Sequence, residues 1–291
     1  MKKGTNIILI LLIAVCVAAL FGYRMLDSLR TDSQPPEIKL EETIPELSVY
    51  DSRDALLQGI TALDKRDGDV SDLVVVERVS LLNADGQIMV SYAAFDRSGN
   101  VAKVQREARY TDYQSPKLTL SKALVFGYST NFDVLSVVGA QDVLDGDIQH
   151  RVRATLLDDG SISDLGVHNV RFQVSNSLGD TVSYVLPVEA YDPKLYDGTL
   201  ELTDYLIYLT PGETFTAKNY LKSCTLRGET VELRMGLPKD YRLETEGKVQ
   251  TDTPGVYPVE YRVTYTIKNE RDRDLDQHYV AYSKLIVIVE G

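Results

Sequence analysis

The chain of 291 residues contains no tryptophan and only two cysteines, Cys16 and Cys224. Cys16 lies within an apolar N-terminal stretch, which leaves Cys224 without a partner in the rest of the chain. No intramolecular disulfide can therefore stabilise the fold, and its stability must come from packed apolar cores.

The chain also lacks an excess of basic residues. Its 43 acidic and 31 basic side chains give a formal net charge of -12. Nucleic acids and anionic lipid surfaces are bound by concentrated basic patches, and the sequence has no such patch. We therefore expect no nucleic-acid partner.

Common catalytic and zinc-binding motifs are missing too. The three histidines, His150, His168 and His278, stand singly, whereas zinc sites cluster His or Cys at short spacing. There is no G-x-S-x-G or S-x-x-K motif and no glycine-rich phosphate loop, and Cys224 has no histidine near it in sequence. We expect a protein that is not an enzyme and needs no cofactor, with Cys224 as a small buried apolar residue.

The N-terminal segment is the longest apolar run. Residues 4–23 carry no charge, and about 20 apolar residues are enough for a helix to cross a hydrocarbon core. We predict a transmembrane signal-anchor helix over residues 6–23. Lys2 and Lys3 precede it, so the positive-inside tendency places residues 1–5 in the cytoplasm and the C-terminal domains outside. A cleaved signal peptide is the alternative, although no small-x-small cleavage site is present.

An internal repeat follows the apolar segment. Residues 62–70 (ALDKRDGDV) recur as residues 140–148 (AQDVLDGDI), and residues 95–101 (FDRSGNV) align with residues 175–181 (SNSLGDT). A chain of this length holds two or three domains of ordinary size, so the repeat indicates copies of one small domain. A third stretch has the same outline but carries RGE at residues 227–229 in place of DGD. The predicted parts are a stalk linker over residues 24–35, a first domain over 36–113, a second over 114–192 and a divergent third over 193–291.

Alternating apolar residues predict antiparallel strands beside the glycine-containing turns of both copies. Every second residue is apolar over residues 88–94, before the turn of the first copy, and over residues 182–190, after the turn of the second. Such alternation is typical of half-buried antiparallel strands. Short strands separated by turns, in domains of about 100 residues, predict immunoglobulin-like sandwiches. The predicted fold class is all-β, with three tandem immunoglobulin-like β-sandwich domains preceded by one transmembrane α-helix.

The motifs of the first copy carry a family resemblance. GITALD (residues 59–64) is followed by DGDVSD (67–72), VSYAAFD (90–96) and SGN (98–100). This order resembles the bacterial surface Ig-like domains found in tandem on secreted and cell-wall proteins, with the pattern GVTAxDxxDGD and then YxVxDxxGN. The resemblance covers the first domain and most of the second, and only the topology of the third. It implies spacers, adhesive modules or accessory units, and it transfers no catalytic residue.

Acidic clusters in the repeated turns are the candidate metal site. They place several oxygen ligands within one loop, as a hard cation such as Ca²⁺ requires. The alternative is that Asp-Gly-Asp only forms a turn in which the carboxylates cap backbone N–H groups. The spacing has neither the ligand ladder nor the bidentate glutamate of an EF-hand, and the second copy has Asn176 where the first has Asp96. The candidate Ca²⁺ ligands are Asp64, Asp67, Asp69, Asp72, Asp142, Asp145 and Asp147.

These expectations combine into one functional prediction. We predict a single-pass protein of the cell membrane that acts as a non-catalytic spacer and protein-interaction module at the bacterial cell envelope. Its partners are the membrane, through the N-terminal helix, and an envelope protein that the third, most divergent domain contacts. The alternative is an adhesin or a carbohydrate-binding module for cell-wall or host glycans. Tyr205, Tyr208 and Tyr220 are the candidates to stack on a sugar, and packing is the other role for their rings.

Overall fold

The computed structural model describes residues 2–30, 32–128, 132–268 and 276–291, and the side chains of the N-terminal helix are described over residues 11–26. The chain divides into two compact units, Met1–Tyr113 and Gln114–Gly291. The predicted boundary between the second and third domains falls inside the second unit. The predicted cytoplasmic residues 1–5 lie outside the residues whose side chains are described.

An α-helix, α1, runs from Lys2 to Arg30. It extends through the first part of the predicted stalk, because residues 24–30 contain neither proline nor glycine and favour the helix. In the part of the chain that the structure describes, no helix is both long and apolar enough to cross a membrane. That residues 6–23 do so stays a prediction.

The first unit is a sandwich of two small sheets. Its shorter sheet has the strand order β1-β3-β4, and its longer sheet has the order β2-β7-β6-β5, with β2 parallel to β7. Two short 3-10 helices, Arg53–Leu57 and Ser71–Leu73, connect the sheets. The strands are β1 (Glu37–Leu40), β2 (Glu46–Leu47), β3 (Ile60–Asp64), β4 (Gly68–Asp69), β5 (Val74–Ser80), β6 (Gln87–Phe95) and β7 (Val101–Tyr110).

Strand β6 supplies much of the core of the first unit. The alternation predicted over residues 88–94 is confirmed, since its apolar positions are buried and lie on one face. The Tyr92 hydroxyl, although buried, donates a hydrogen bond to the carbonyl of Leu56 (2.7 Å), so its polar end is satisfied. The buried stripe consists of Ile88, Val90, Tyr92 and Ala94.

The first half of the second unit repeats this topology strand for strand. Its two sheets have the orders β8-β10-β11 and β9-β14-β13-β12, and β9 is parallel to β14 just as β2 is to β7. The sequence repeat is therefore a structural repeat. The strands are β8 (Lys117–Leu120), β9 (Val125–Gly127), β10 (Val138–Asp142), β11 (Gly146–Asp147), β12 (Arg153–Leu156), β13 (Gly166–Ser175) and β14 (Thr181–Tyr191), with 3-10 helices at Val134–Ser136, Gln149–Arg151 and Pro193–Leu195.

The remaining strands form one seven-stranded sheet, which departs from the two-sheet sandwich predicted for the third domain. The order is β18-β17-β15-β21-β20-β19, and β16 also pairs with β21. The reason is the length of β21, which pairs with β15 near its start and with β16 at its end. The strands are β15 (Gly198–Leu202), β16 (Leu206–Leu209), β17 (Leu221–Leu226), β18 (Glu229–Glu232), β19 (Tyr241–Glu246), β20 (Gly255–Ile267) and β21 (Gln277–Val289), with a 3-10 helix at Ala217–Tyr220.

From Ala281 to Val289, strand β21 is buried on both of its faces. Leu285, Val287 and Val289 pack into the apolar core of the seven-stranded sheet. Ile286 and Ile288 pack instead into the core of the second repeat. Side chains of a strand alternate between its two faces, so this one strand completes two cores. The predicted second and third domains are therefore joined by a shared strand.

Buried polar contacts add to this junction. Lys284, with only 2% of its side chain exposed, forms ion pairs with Glu189 of β14 and with Glu260 of β20. Glu189 also accepts a hydrogen bond from the Tyr282 hydroxyl (2.8 Å). A buried ammonium group is costly unless it is paired, and here carboxylates from both sides of the junction pair with it.

Tyr208 of β16 covers the edge of β8. Its hydroxyl accepts a hydrogen bond from the N–H of Leu118 (2.8 Å) and donates one to the carbonyl of the same residue (3.2 Å). Lys117 lies over the ring, with Nζ 4.8 Å from the ring centroid, and pairs with Glu290 (3.0 Å). Burial raises the pKa of Tyr208 well above its ordinary value, so the hydroxyl remains a donor.

We expect Ile288→Ala to destabilise both halves of the second unit. The substitution leaves a cavity in the core of the second repeat, and such a change costs about 2–5 kcal/mol. Hydrogen exchange of the full chain, followed by mass spectrometry, should show faster exchange in residues 166–191 as well as in residues 255–289. Val167→Ala, at an exposed position of β13, is the control and should have little effect. Faster exchange confined to residues 198–289 would contradict the shared core.

Candidate functional site

The Asp-Gly-Asp turn of the first repeat joins β3 to β4. Asp64 accepts hydrogen bonds through Oδ1 from the backbone N–H groups two and three residues later (2.7 and 2.8 Å). Gly68 has a φ of 80°, which favours glycine. Asp69 accepts bonds from the hydroxyl (2.6 Å) and the N–H (3.0 Å) of Ser71. These bonds lower the pKa of Asp69, and they fix the end of the turn.

The corresponding turn of the second repeat has the same hydrogen bonds from backbone N–H groups. Asp142 accepts through Oδ1 from the N–H groups two and three residues later (both 2.9 Å). Asp147 accepts through Oδ1 from the N–H of Gln149 (2.9 Å). The carboxylates of both turns therefore cap backbone N–H groups, as the turn interpretation of the sequence predicts.

A further carboxylate of each turn binds the neighbouring hairpin turn. Asp67 accepts a hydrogen bond from the N–H of Arg97 (2.8 Å). Asp145 accepts bonds from the N–H (2.6 Å) and the hydroxyl (2.7 Å) of Ser177, and it also pairs with Arg151. Burial by itself raises the pKa of Asp145, but the bonds from Ser177 and the Arg151 guanidinium outweigh it and hold that pKa below its ordinary value.

Among the described residues, a group of three acids could share one ion. Asp64 is the one of the seven predicted Ca²⁺ ligands that belongs to this group. This group consists of Asp32, Asp64 and Asp96, which each offer a carboxylate oxygen within 4.8 Å of the others. Calcium binding by the other six stays a prediction. Outside the group lie Asp67, Asp69, Asp72, Asp142, Asp145 and Asp147.

Asp32 and Asp96 are absent from the ligands predicted from the sequence. Asp96 belongs to the quoted family motif, but it lies about 30 residues after the Asp-Gly-Asp turn, and no local pattern links the two turns. Asp32 lies in the predicted stalk, and it recurs as Asp112 at the offset that separates Gly99 from Gly179. That recurrence is the signal that places Asp32 in the repeat rather than in a featureless linker.

A groove of about 890 Å³ opens in the second unit, lined by residues of the second repeat and of the seven-stranded sheet. Tyr191 and Tyr205 line it together with several serine and threonine residues. Glu201 and Lys222 form an exposed ion pair in its wall (3.0 Å). Its volume lies within the range of ligand clefts, about 300–1,000 Å³. Aromatic, hydroxyl and charged groups in one groove suit an extended polar ligand such as a peptide or an oligosaccharide.

The three tyrosines proposed for sugar stacking have different environments. Tyr208 packs against the core of the second repeat, and Tyr220 stacks on Phe215 with ring centroids 5.7 Å apart. Tyr205 packs partly against the core of the seven-stranded sheet and also lines the groove. Tyr205 is therefore the member of this set that a groove ligand would contact.

The residues that carry nucleophilic or basic chemistry have structural surroundings. Cys224 is fully buried, as predicted, and burial raises the pKa of its thiol to about 11, so the thiol stays protonated. His168 donates a hydrogen bond through Nε2 to the carbonyl of Asp164 (2.7 Å). His278 contacts the hydroxyl of Thr266 through Nδ1 (3.0 Å).

No protein-family model matches the chain. It is 31% identical over 94 residues to an uncharacterized 81.3 kDa protein of Acholeplasma phage L2, and the match spans 32% of this chain and 12% of the phage protein.

Similar solved structures share little sequence with the chain. The CBM51-2 domain in complex with GlcNAc and the INT domains from Clostridium perfringens ZmpB is 13% identical, over 88% of this chain and 44% of that one, with a TM-score of 0.22. The protocadherin GammaB4 extracellular domain is 10% identical, over 89% of this chain and 50% of that one, with a TM-score of 0.20. TM-scores this low carry no conclusion about fold or function.

We expect Asp145→Asn to lower the stability of the second unit by about 1–3 kcal/mol at neutral pH, because the hydrogen bonds and the ion pair of a charged carboxylate are weakened. A carboxylate with a lowered pKa stabilises the fold above the ordinary value of 3.8, and this contribution is lost as the pH falls below it. The difference from the unsubstituted chain should therefore shrink in acid, measured by thermal unfolding with circular dichroism. Asp159→Asn, at an exposed position, is the control. A difference that is independent of pH would contradict this role.

Proposed function

We propose that the chain is a non-catalytic spacer and protein-interaction module of the bacterial cell envelope. The observation that carries the proposal is the shared strand β21, whose alternate side chains complete two cores. A body built in this way resists bending between its halves, which is the property that a spacer needs. The protein would display a preformed groove rather than carry out a reaction.

The proposal that the repeats belong to the surface Ig-like type is supported by their turns. In both copies an aspartate at the end of one strand caps its own turn, and a second aspartate binds the following hairpin turn. The quoted motif residues are those that make these bonds. The motif residues therefore hold the Asp-Gly-Asp turn and the following hairpin turn together, which is a role in folding.

The groove of the second unit is the proposed partner site. It is lined in part by residues 198–206, from the most divergent part of the chain. Rings of Tyr191 and Tyr205 offer apolar contact area, and the neighbouring hydroxyl and charged groups offer hydrogen bonds that orient a ligand. An extended segment of an envelope protein fits this chemistry.

Carbohydrate binding is the second candidate, and the same groove favours it. A tyrosine ring presents an apolar face to a sugar while its hydroxyl remains a donor, and Glu201 and Lys222 in the wall would bind sugar hydroxyls. The lack of tryptophan makes this the weaker of the two candidates.

Crosslinking in intact cells tests the groove. We expect a photo-reactive amino acid at Thr203, an exposed residue of the groove, to give discrete adducts, and the same group at Asp159, which is exposed outside the groove, to give none. Adducts that protease treatment removes support a protein partner, whereas adducts that polysaccharide-degrading enzymes remove support a glycan. Equal adducts at both positions, or none at either, would refute the groove as the partner site.

Anchoring through α1 is a proposal that is supported by the apolar, uncharged sequence of residues 4–23. We expect the chain to stay in the membrane fraction after carbonate extraction, with a C-terminal tag open to protease on intact cells. Leu12→Arg combined with Val15→Arg should release it, because each arginine at the helix centre costs about 2.5–3.5 kcal/mol. Met25→Arg, beyond the predicted span, is the control and should stay bound. A tag protected from protease would contradict the topology.

A further inference from the structure

Three carboxylates from separate parts of the first unit converge. Asp32 lies in the linker after α1, Asp64 ends β3, and Asp96 follows β6. One oxygen of each lies within 4.8 Å of the others. Asp64 and Asp96 are buried, with exposures of 3% and 5%. Like charges so close repel each other where water is excluded, so this arrangement needs a compensating charge.

Two carboxylate oxygens in this cluster have no hydrogen-bond partner. In Asp64, Oδ1 is occupied by the N–H groups of its turn, and Oδ2 is buried without a partner. In Asp32, Oδ1 accepts a bond from the N–H of Gln34 (3.0 Å), and Oδ2 is likewise buried without a partner. Buried carboxylate oxygens are normally hydrogen-bonded, paired or bound to a metal.

The ion pairs of the described residues do not supply the compensating charge. None of these pairs includes Asp32, Asp64 or Asp96. Hydrogen bonds occupy both oxygens of Asp96 but only one oxygen each of Asp32 and Asp64. Such a set is the donor set of a cation site.

The second repeat shows how the same position is satisfied without a cation. Asn176 stands in the place of Asp96, and its Nδ2 donates a hydrogen bond to Oδ2 of Asp142 (3.2 Å). Asp142 is the counterpart of Asp64, so the oxygen that is unpartnered in the first repeat has an amide donor in the second. An amide in place of the carboxylate removes one negative charge and supplies an N–H donor for the Asp142 oxygen.

The aspartates that precede the two repeats, Asp32 and Asp112, also differ in whether both of their oxygens have hydrogen-bond partners. Asp112, the counterpart of Asp32, accepts hydrogen bonds through one oxygen from the Ser48 hydroxyl (2.6 Å) and through the other from the N–H of Val49 (2.8 Å). Both of its oxygens are therefore used. Of the two repeats, the first is the one in which acids with unpartnered oxygens meet.

We propose that Asp32, Asp64 and Asp96 bind one hard divalent cation, Ca²⁺, which fastens the linker to the first repeat. Ca²⁺ takes carboxylate oxygens at about 2.3–2.6 Å, so ligands on opposite sides of the ion lie about 5 Å apart. The three carboxylate oxygens lie within 4.8 Å of one another, so one Ca²⁺ ion can contact all of them. Mg²⁺ usually binds through one or two carboxylates and keeps several waters, so a set of three carboxylates favours Ca²⁺. Water completes the coordination shell.

Asn100 already holds the linker in position for this ion. Its Nδ2 donates to Oδ2 of Asp96 (2.6 Å) and lies within hydrogen-bond distance of the carbonyls of Asp32 (3.2 Å) and Gln34 (3.3 Å). The ion would add charge compensation to this amide clamp. The result is a linker whose attachment depends on Ca²⁺, and this holds whatever the groove of the second unit binds.

Thermal unfolding of the full chain in a mild detergent tests the site. After removal of divalent cations with EDTA, millimolar Ca²⁺ should raise the Tm by about 4 °C or more. Asp64→Asn should abolish this shift and lower the Ca²⁺ affinity, measured by calorimetry, by about tenfold or more, because even outer-shell losses reach that size. In EDTA, Asp64→Asn should be at least as stable as the unsubstituted chain, since one of three repelling charges is gone.

The matched control is Asp85→Asn, which removes an equal charge from an exposed position of the first unit outside the candidate ligands and should keep the whole Ca²⁺ shift. An unsubstituted chain that does not respond to Ca²⁺ would overturn the proposal. So would an equal shift with Mg²⁺, an equal loss in Asp85→Asn, or a Ca²⁺ shift that persists in Asp64→Asn.

Discussion

The packing of β21 between two apolar cores is the constraint on which the second unit depends. Leu285, Val287 and Val289 complete one core, and Ile286 and Ile288 complete the other. A strand in that position has no face left for water, which explains why even its charged residue, Lys284, is paired within the protein. The groove and the Tyr208 contact both lie along the junction that this strand creates. Movement of β21 would therefore change the groove, the ion pair and both cores together.

Much of this fold is readable from the sequence, because turns and alternation are local signals. The stripe over residues 88–94 and the repeated Asp-Gly-Asp turns identify the strands that flank them, and the structure has these strands. The shared strand is harder to foresee. Its run LIVIV at residues 285–289 does not alternate, which is typical of a strand that is buried on both faces, but the sequence does not say what covers the second face. That information lies in contacts between residues far apart in the chain.

The candidate cation site shows a similar limit. In the sequence, the acidic residues clustered in one loop are the visible sign of a metal site. In the structure, the aspartates of the Asp-Gly-Asp turns mostly accept hydrogen bonds from backbone N–H groups a few residues away. The three that meet come from a linker, a strand end and a hairpin turn, and no short motif contains them. The comparison of the two repeats is more informative than either alone, since Asn176 and Asp96 occupy equivalent turns and differ by one charge.

The position of β21 in the chain gives the two repeats different folding histories. The first repeat contains all the strands of its own sandwich, so it can close as soon as β7 has been made. The second repeat needs Ile286 and Ile288 of a strand that comes after all its own strands and after the other strands of the seven-stranded sheet. Contacts across such a long stretch of sequence form late, because the loop must close before they stabilise anything. During synthesis the second repeat would thus remain an incomplete core, open to chaperones and proteases, while the first repeat is already folded.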